Sequence, residues 1–262
     1  MYYPKVRKAI AERISSLIDI IKAEGIQAGY QQLTREVDSG SLGKVIEDLY
    51  LTVGMRFARH QWRDLLAQRR AAKKPAKSVS GLETKGFGFN QTWVDFIKNY
   101  LFRFLLDKIV YRVSESTREV LLNTLNKAIE NGWGIAETIK ELEDLPLSRT
   151  QAARIVRTEV TRAANTGAMA AGSTFEFEQN KEWIAAEDRR TRGNDPEDHA
   201  SHKGLNGQIV DYNEPFTDPR NGDQLMFPGD PQAKAESVLN CRCAMAIIAK
   251  RDLEGRLIPK KK

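Results

Sequence analysis

The sequence predicts an α+β chain, with a predominantly helical N-terminal region and a small C-terminal α+β unit. Three observations carry this. Apolar residues recur at helical spacing through most of the first 171 positions. After Gly172 the pattern changes to alternation, with Phe175 and Phe177 set beside Glu176 and Glu178. A Pro/Gly-rich run, Pro215 to Pro231, then separates apolar stretches too short for helices.

The elements follow in order. Val6, Ile10, Ile14, Leu17 and Ile21 form one stripe, predicting a helix over 5–24 with Gly25 as its stop. Leu42, Ile46, Leu49, Val53 and Phe57 predict the apolar face of a second helix, 42–70, with Ser41 as its N-cap. Residues 71–92 lose periodicity and read as a linker or loop. Helix resumes over 93–113. Ser116-Thr117-Arg118-Glu119 fits a capping box ahead of Val120, Leu121, Leu125 and Ile129, and Gly132 ends that run. Ile135, Ile139 and Leu142 form a short helix. Ser148-Arg149-Thr150-Gln151 reads as another capping box, opening a long helix to about Ala171. Strands are expected at 183–186, 208–212 and 244–248. The expected organisation is a helical region 1–70, the linker 71–92, a helical region 93–147, a compact unit 148–248 and a basic tail 249–262.

With 262 residues, 41% hydrophobic, 29% charged and a mean hydropathy of −0.50, the chain reads as soluble. The net charge of +6 favours a polyanionic or acidic partner. No apolar segment follows Met1–Lys5, so no secretory leader is expected. The run Tyr100 to Val113 is too short and too charged to span a bilayer, so no membrane role is expected. Two cysteines one residue apart point to a reducing compartment rather than a disulfide framework. A P-loop and a Gly-x-Ser-x-Gly elbow are both absent from the sequence.

Reactive side chains concentrate near the C-terminus. His199-x-x-His202 with Cys241-x-Cys243 offers two imidazoles and two thiols, the donors of a tetrahedral structural zinc site. Against this stands a Cys-x-Cys spacer tighter than usual, and cysteines also pack as small hydrophobes. Asp188 beside Arg190 and Arg192, and Glu159 beside Arg157 and Arg162, read as ion-pair network residues, with Asn165 and Trp183 joining them. An alternative uses His199, His202, Asp188 and Arg190 as the site of a metal-assisted nuclease or other phosphoryl-transfer enzyme. Arg56, Arg59, Arg63, Arg69, Arg70, Lys73, Lys74 and Lys77 face a single Asp64 and could contact nucleic-acid phosphates or an acidic partner. The basic tail could do the same in a non-specific DNA-binding module. The bland reading of the run is a solvated helix face.

The ordered set Val156-Arg157-Thr158-Glu159, Ala164-Asn165, Trp183, Asp188-x-Arg190-Thr191-Arg192, His202-x-x-Leu205-x-Gly207, Pro228-Gly229-Asp230-Pro231 and Asn240-Cys241-Arg242-Cys243 resembles the phage head morphogenesis family. Its members are the Mu F-like minor head proteins of tailed bacteriophages. The resemblance is dense from about Ser116 to Ile248 and makes 148–248 the Mu F-like minor head domain. It implies a virion protein of few copies, inside the capsid near the portal, with no catalytic activity. Expected partners are the portal protein, packaged double-stranded DNA, and scaffold or major capsid protein. Two departures stand out: Gly193–Asp198 lengthens the spacer before His202, and His199-x-x-His202 stands where some relatives carry Cys-x-x-Cys.

Overall fold

The computed structural model describes residues 2–35, 40–72, 89–104, 111–145 and 151–260. Lys73, Lys74, Lys77 and Ser148–Thr150 lie outside them, as does most of the expected linker. The chain divides into two compact units, Met1–Glu47 with Phe102–Val156, and Asp48–Leu101 with Arg157–Lys262. The fold class is the expected α+β, with helices dominating the N-terminal part and a small sheet near the C-terminus.

The first unit is built on α1 (Tyr2–Glu24), whose predicted stripe is buried throughout. Gly25 ends it at φ +89°, a left-handed position that costs glycine little. Helix α2 (Ile26–Arg35) follows at once, although the sequence offered no separate signal for it. Helices α1 and α2 pack together, and α6 (Tyr111–Glu130) and α7 (Ile135–Asp144) close the bundle through Leu121, Leu125 and Leu142. The expected capping box at 116–119 lies inside α6, because the chain is already helical five residues earlier. Its i,i+3 spacing is equally that of neighbours on one helix face. There Arg118 forks onto Glu115, at 2.6 and 3.0 Å, and donates to the Leu33 carbonyl. Thr117 accepts a hydrogen bond from the Gln151 amide, 3.0 Å away.

The phase of the second predicted helix changes along its length. Helix α3 (Gly40–Leu49) runs into a π-helical turn, Tyr50–Gly54, and then α4 (Met55–Ala71). Ser41 therefore sits within α3 rather than capping it. One wide turn adds a residue and rotates everything downstream. The buried positions of α4 are Met55, Ala58, Gln61 and Leu65, while Phe57, expected in the core, is 44% exposed. The same rotation sends Arg56, Arg59, Arg63 and Arg70 to solvent.

Helix α5 (Phe89–Phe104) begins earlier than expected, and residues 105–110 lie outside the described set. Helix α8 (Ala152–Thr174) leads to β1 (Gln179–Ile184). Strand β1 is central in an antiparallel sheet ordered β2-β1-β5, with β2 at Ile209–Asp211 and β5 at Ala244–Ala249. Opposite pairs Gln179–Ala249, Lys181–Ile247 and Trp183–Met245 share the buried face. Strand β1 lies further N-terminal than expected because Gln179 and Lys181 also point inward. Lys181 donates to the Met226 carbonyl at 2.6 Å and lies over the Phe216 ring. Desolvation lowers its pKa to about 8, with Asp230 and Glu214 opposing. The sheet packs on α4 and α8 around Leu65, Met169, Phe175, Phe177, Phe227, Met245 and Ile247.

The run expected to be loop, 215–231, contains a two-stranded ribbon, β3 (Phe216–Thr217) and β4 (Gln224–Leu225). Strands of two residues leave no period to read. The stretch expected as a basic tail is folded back. Phe177 bridges Pro259, Arg251 bridges Leu257, and Leu257 is buried in the main core.

Strand β5 is an edge strand, and α4 covers that edge. Gln68 donates to the Ile247 carbonyl at 3.0 Å and accepts from the Ala249 amide at 2.8 Å, as a further strand would. Gln61 adds a longer bond to the same carbonyl. Gln68→Ala should destabilise the second unit by about 1–3 kcal/mol by leaving the Ala249 amide without its acceptor. It should also speed hydrogen exchange at the Ala249 amide. Unchanged exchange at that amide would show that the carboxamide does not act as the missing strand.

Candidate metal centre

Fifty-nine residues of chain, 185–243, separate β1 from β5 and fold over one end of the sheet. They enclose a second apolar cluster: Trp183, Leu205, Phe216, Leu225, Val238, Cys241 and Cys243. His202 opens a single helical turn, α9 (His202–Leu205), capped by Ser201, whose hydroxyl accepts from the Gly204 amide. The cap turns the imidazole inward, where it is 2% exposed. Its Nε2–H donates to the Ser237 carbonyl at 2.9 Å, in α10 (Ala235–Val238). With the proton on Nε2, the Nδ1 lone pair faces the cysteines. Nδ1 lies 3.6 Å from Cys241 Sγ and 3.5 Å from Cys243 Sγ, and the three donor atoms all fall within 4.8 Å of one another.

The two thiols behave as one unit. A hydrogen bond to Cys243, reinforced by burial, raises the pKa of Cys241, and the accepting Cys243 is lowered. Trp183 meets the His202 ring edge-on at 5.2 Å, and its indole N–H is buried without an acceptor among the described residues.

One face of α8 holds the cysteine segment. Arg157 donates to the Asn240 side chain at 2.8 Å, and Thr158 accepts from the Asn240 amide at 2.9 Å. Thr161 donates to the Cys241 carbonyl, and Asn165 accepts from the Met245 amide. Asn240 sits at φ +57°, a left-handed conformation that asparagine tolerates better than most residues. Asn165 also donates to the Pro228 carbonyl, and Arg162 to the Gly229 carbonyl at 2.5 Å. Glu159 pairs with Arg162 at 2.7 Å and accepts from the Tyr50 hydroxyl at 2.8 Å. The conspicuous motifs of α8, the Pro-Gly-Asp-Pro turn and the Asn-Cys-Arg-Cys segment thus form one hydrogen-bonded assembly.

The structure places the remaining candidates elsewhere. His199 is exposed, in the bend before the Ser201 cap, and takes no part in the donor group. The i,i+3 spacing to His202 would align the rings only if both stood on one helix, and α9 starts at His202. Asp188 is exposed and bonds to the Arg190 amide and the Arg242 guanidinium. Desolvation opposes, but those two partners hold its carboxyl below the usual range. The Arg190 side chain faces solvent, and Arg192 donates to the Leu239 carbonyl. Tyr50, Thr161 and Ser237 were not anticipated, and Thr158 was named only within a motif. The spacing of Arg157, Thr161 and Asn165, every fourth residue, was the available signal for Thr161.

Among the described residues, no helix is long and apolar enough to cross a membrane. Residues 119–246 match the family described as Phage Mu protein F like protein. Over 148 residues the chain is 28% identical to a curated relative, the uncharacterized protein YqbB of Bacillus subtilis (strain 168). That alignment takes in 56% of this chain and 47% of the relative, so the chain spans about half the length of the protein it matches. No solved structure matches the chain.

Proposed function

We propose, from the match of residues 119–246 to the family described as Phage Mu protein F like protein, that the chain is a structural minor head component of a tailed bacteriophage. It sits inside the capsid near the portal and acts in head assembly through contacts with portal protein and packaged DNA. The observation that carries the reading is the coincidence of the family match with the α8-centred assembly: Arg157, Glu159, Asn165, Asn240 and Cys241 lie in both. Those residues are engaged with one another, which supports a scaffold role over a catalytic one. Deep burial of His202 likewise supports a non-enzymatic reading over a metal-assisted nuclease.

Co-expression with the cognate portal protein tests the docking claim. The expected result is co-purification through size exclusion; a portal that elutes alone at micromolar concentrations of both would overturn it.

The DNA contact is assigned to α4. Arg56, Arg59, Arg63 and Arg70 fall within an arc of about 60° along about 21 Å of helix axis. All four are exposed, and among the described residues no carboxylate pairs with them. Arg69 differs: it points elsewhere and pairs with Glu176 at 3.3 Å. Each phosphate contact contributes about 0.9 to the slope of log affinity against log salt. Replacing Arg59 and Arg63 by alanine should lower that slope by about 2, measured by anisotropy on duplex DNA. An unchanged slope would remove α4 from the DNA interface.

A further inference from the structure

We propose that His202, Cys241 and Cys243 bind one zinc ion, through Nδ1 and the two sulfurs, with a water molecule as the fourth ligand. A tetrahedral zinc with bonds of about 2.3 Å to sulfur and about 2.0–2.1 Å to nitrogen sets its nitrogen and sulfur donors about 3.6 Å apart. The Nδ1 to Sγ distances here are 3.6 and 3.5 Å, matching the two nitrogen–sulfur edges of that tetrahedron. The imidazole is oriented as ligating histidines are, with its other nitrogen donating to a backbone carbonyl, that of Ser237. The donor set of two thiols and one imidazole selects a soft or borderline ion and disfavours calcium or magnesium, which need oxygen ligands.

The ion would join segments distant in sequence. His202 stands on α9, while Cys241 and Cys243 lead directly into β5. The apolar cluster around them is small, and the chain from 185 to 243 contains little regular structure. Metal binding adds to folding free energy where a core is modest. An open fourth position is the pattern of catalytic zinc sites, but all three ligands are buried, at 2, 2 and 4% exposure, which favours a structural role. This inference does not depend on a head or portal role, since it concerns only the local donor geometry.

The experiment uses the untagged full chain, purified under reducing conditions without chelator. Elemental and native mass spectrometry should find one zinc per chain. Cobalt(II) added to the apoprotein should give an intense thiolate-to-cobalt charge-transfer absorption with tetrahedral d–d bands. Cys241→Ser and Cys243→Ser should each lose that signal and weaken affinity by more than the roughly 10- to 100-fold seen for outer-shell changes. His202→Ala should do the same. Should these variants fail to fold, the cobalt titration of the unaltered chain still decides. Both cysteines should also resist alkylation until chelator is added. A chain without zinc whose apoprotein shows no cobalt charge-transfer band overturns the site. So does a Cys241–Cys243 disulfide in protein kept reduced.

Discussion

Glu159→Ala is expected to destabilise the second unit by about 3–5 kcal/mol, enough to unfold a marginal domain. Glu159 and Arg162 have side chains only 3 and 5% exposed and meet at 2.7 Å. The other Glu159 oxygen takes the Tyr50 hydroxyl, and Arg162 reaches the Gly229 carbonyl. Tyr50 is itself fully buried and stacks on Tyr100, with centroids 6.1 Å apart. Burial alone would push Arg162 toward losing its proton, but the Glu159 carboxylate holds the guanidinium charged. Removing the carboxylate strips that buried cation of its ion-pair partner, leaving only the field of Asp230, and strips the tyrosine hydroxyl of its acceptor. The double variant Glu159→Leu with Arg162→Met should recover much of the loss, because apolar residues can fill the same space without a stranded charge. Urea unfolding of the two single variants and the double gives the test. A loss below about 1 kcal/mol in Glu159→Ala would show that water reaches the pair.

Gly167→Ala is expected to cost more than the roughly 1–3 kcal/mol typical of overpacking. A Cβ at Gly167 would stand 2.0 Å from the Gly54 carbonyl oxygen and 2.8 Å from its Cα. The obstacle is backbone, so no rotamer change relieves it, and α8 must move away from the π-helical turn. Moving it would also disturb Arg162 and Asn165, which hold the Pro-Gly-Asp-Pro turn. Gly54→Ala should be milder, since its tightest contact is the flexible end of Ile97 at 2.9 Å. Thermal melts should order the variants in that way. A Gly167→Ala protein with wild-type stability would contradict the close helix approach.

How much was legible follows from what each signal assumes. The stripe of α1, the Gly25 stop and the long α8 obeyed an unbroken 3.6-residue period and could be read directly. Phe57 misled because the same period was carried across Tyr50–Gly54, where the π turn adds a residue. Nothing in Tyr50-Leu51-Thr52-Val53-Gly54 announces that turn; only the close packing at Gly54 and Gly167 explains its place. Of the four metal-ligand candidates, three converge. The fourth, His199, was paired with His202 on sequence spacing, yet the cap at Ser201 ends any shared helical frame. The Arg157–Asn165 face was visible as charged and polar residues on a helix. Its partners Asn240 and Pro228 lie more than 60 residues away and are known only from the fold.

Quantitative mass spectrometry of purified, DNA-filled heads tests the central claim most directly. The account predicts that the chain co-purifies with the heads in a few copies per portal and resists protease until the capsid is opened. A chain confined to the soluble fraction of the infected cell, and missing from purified heads, would contradict it.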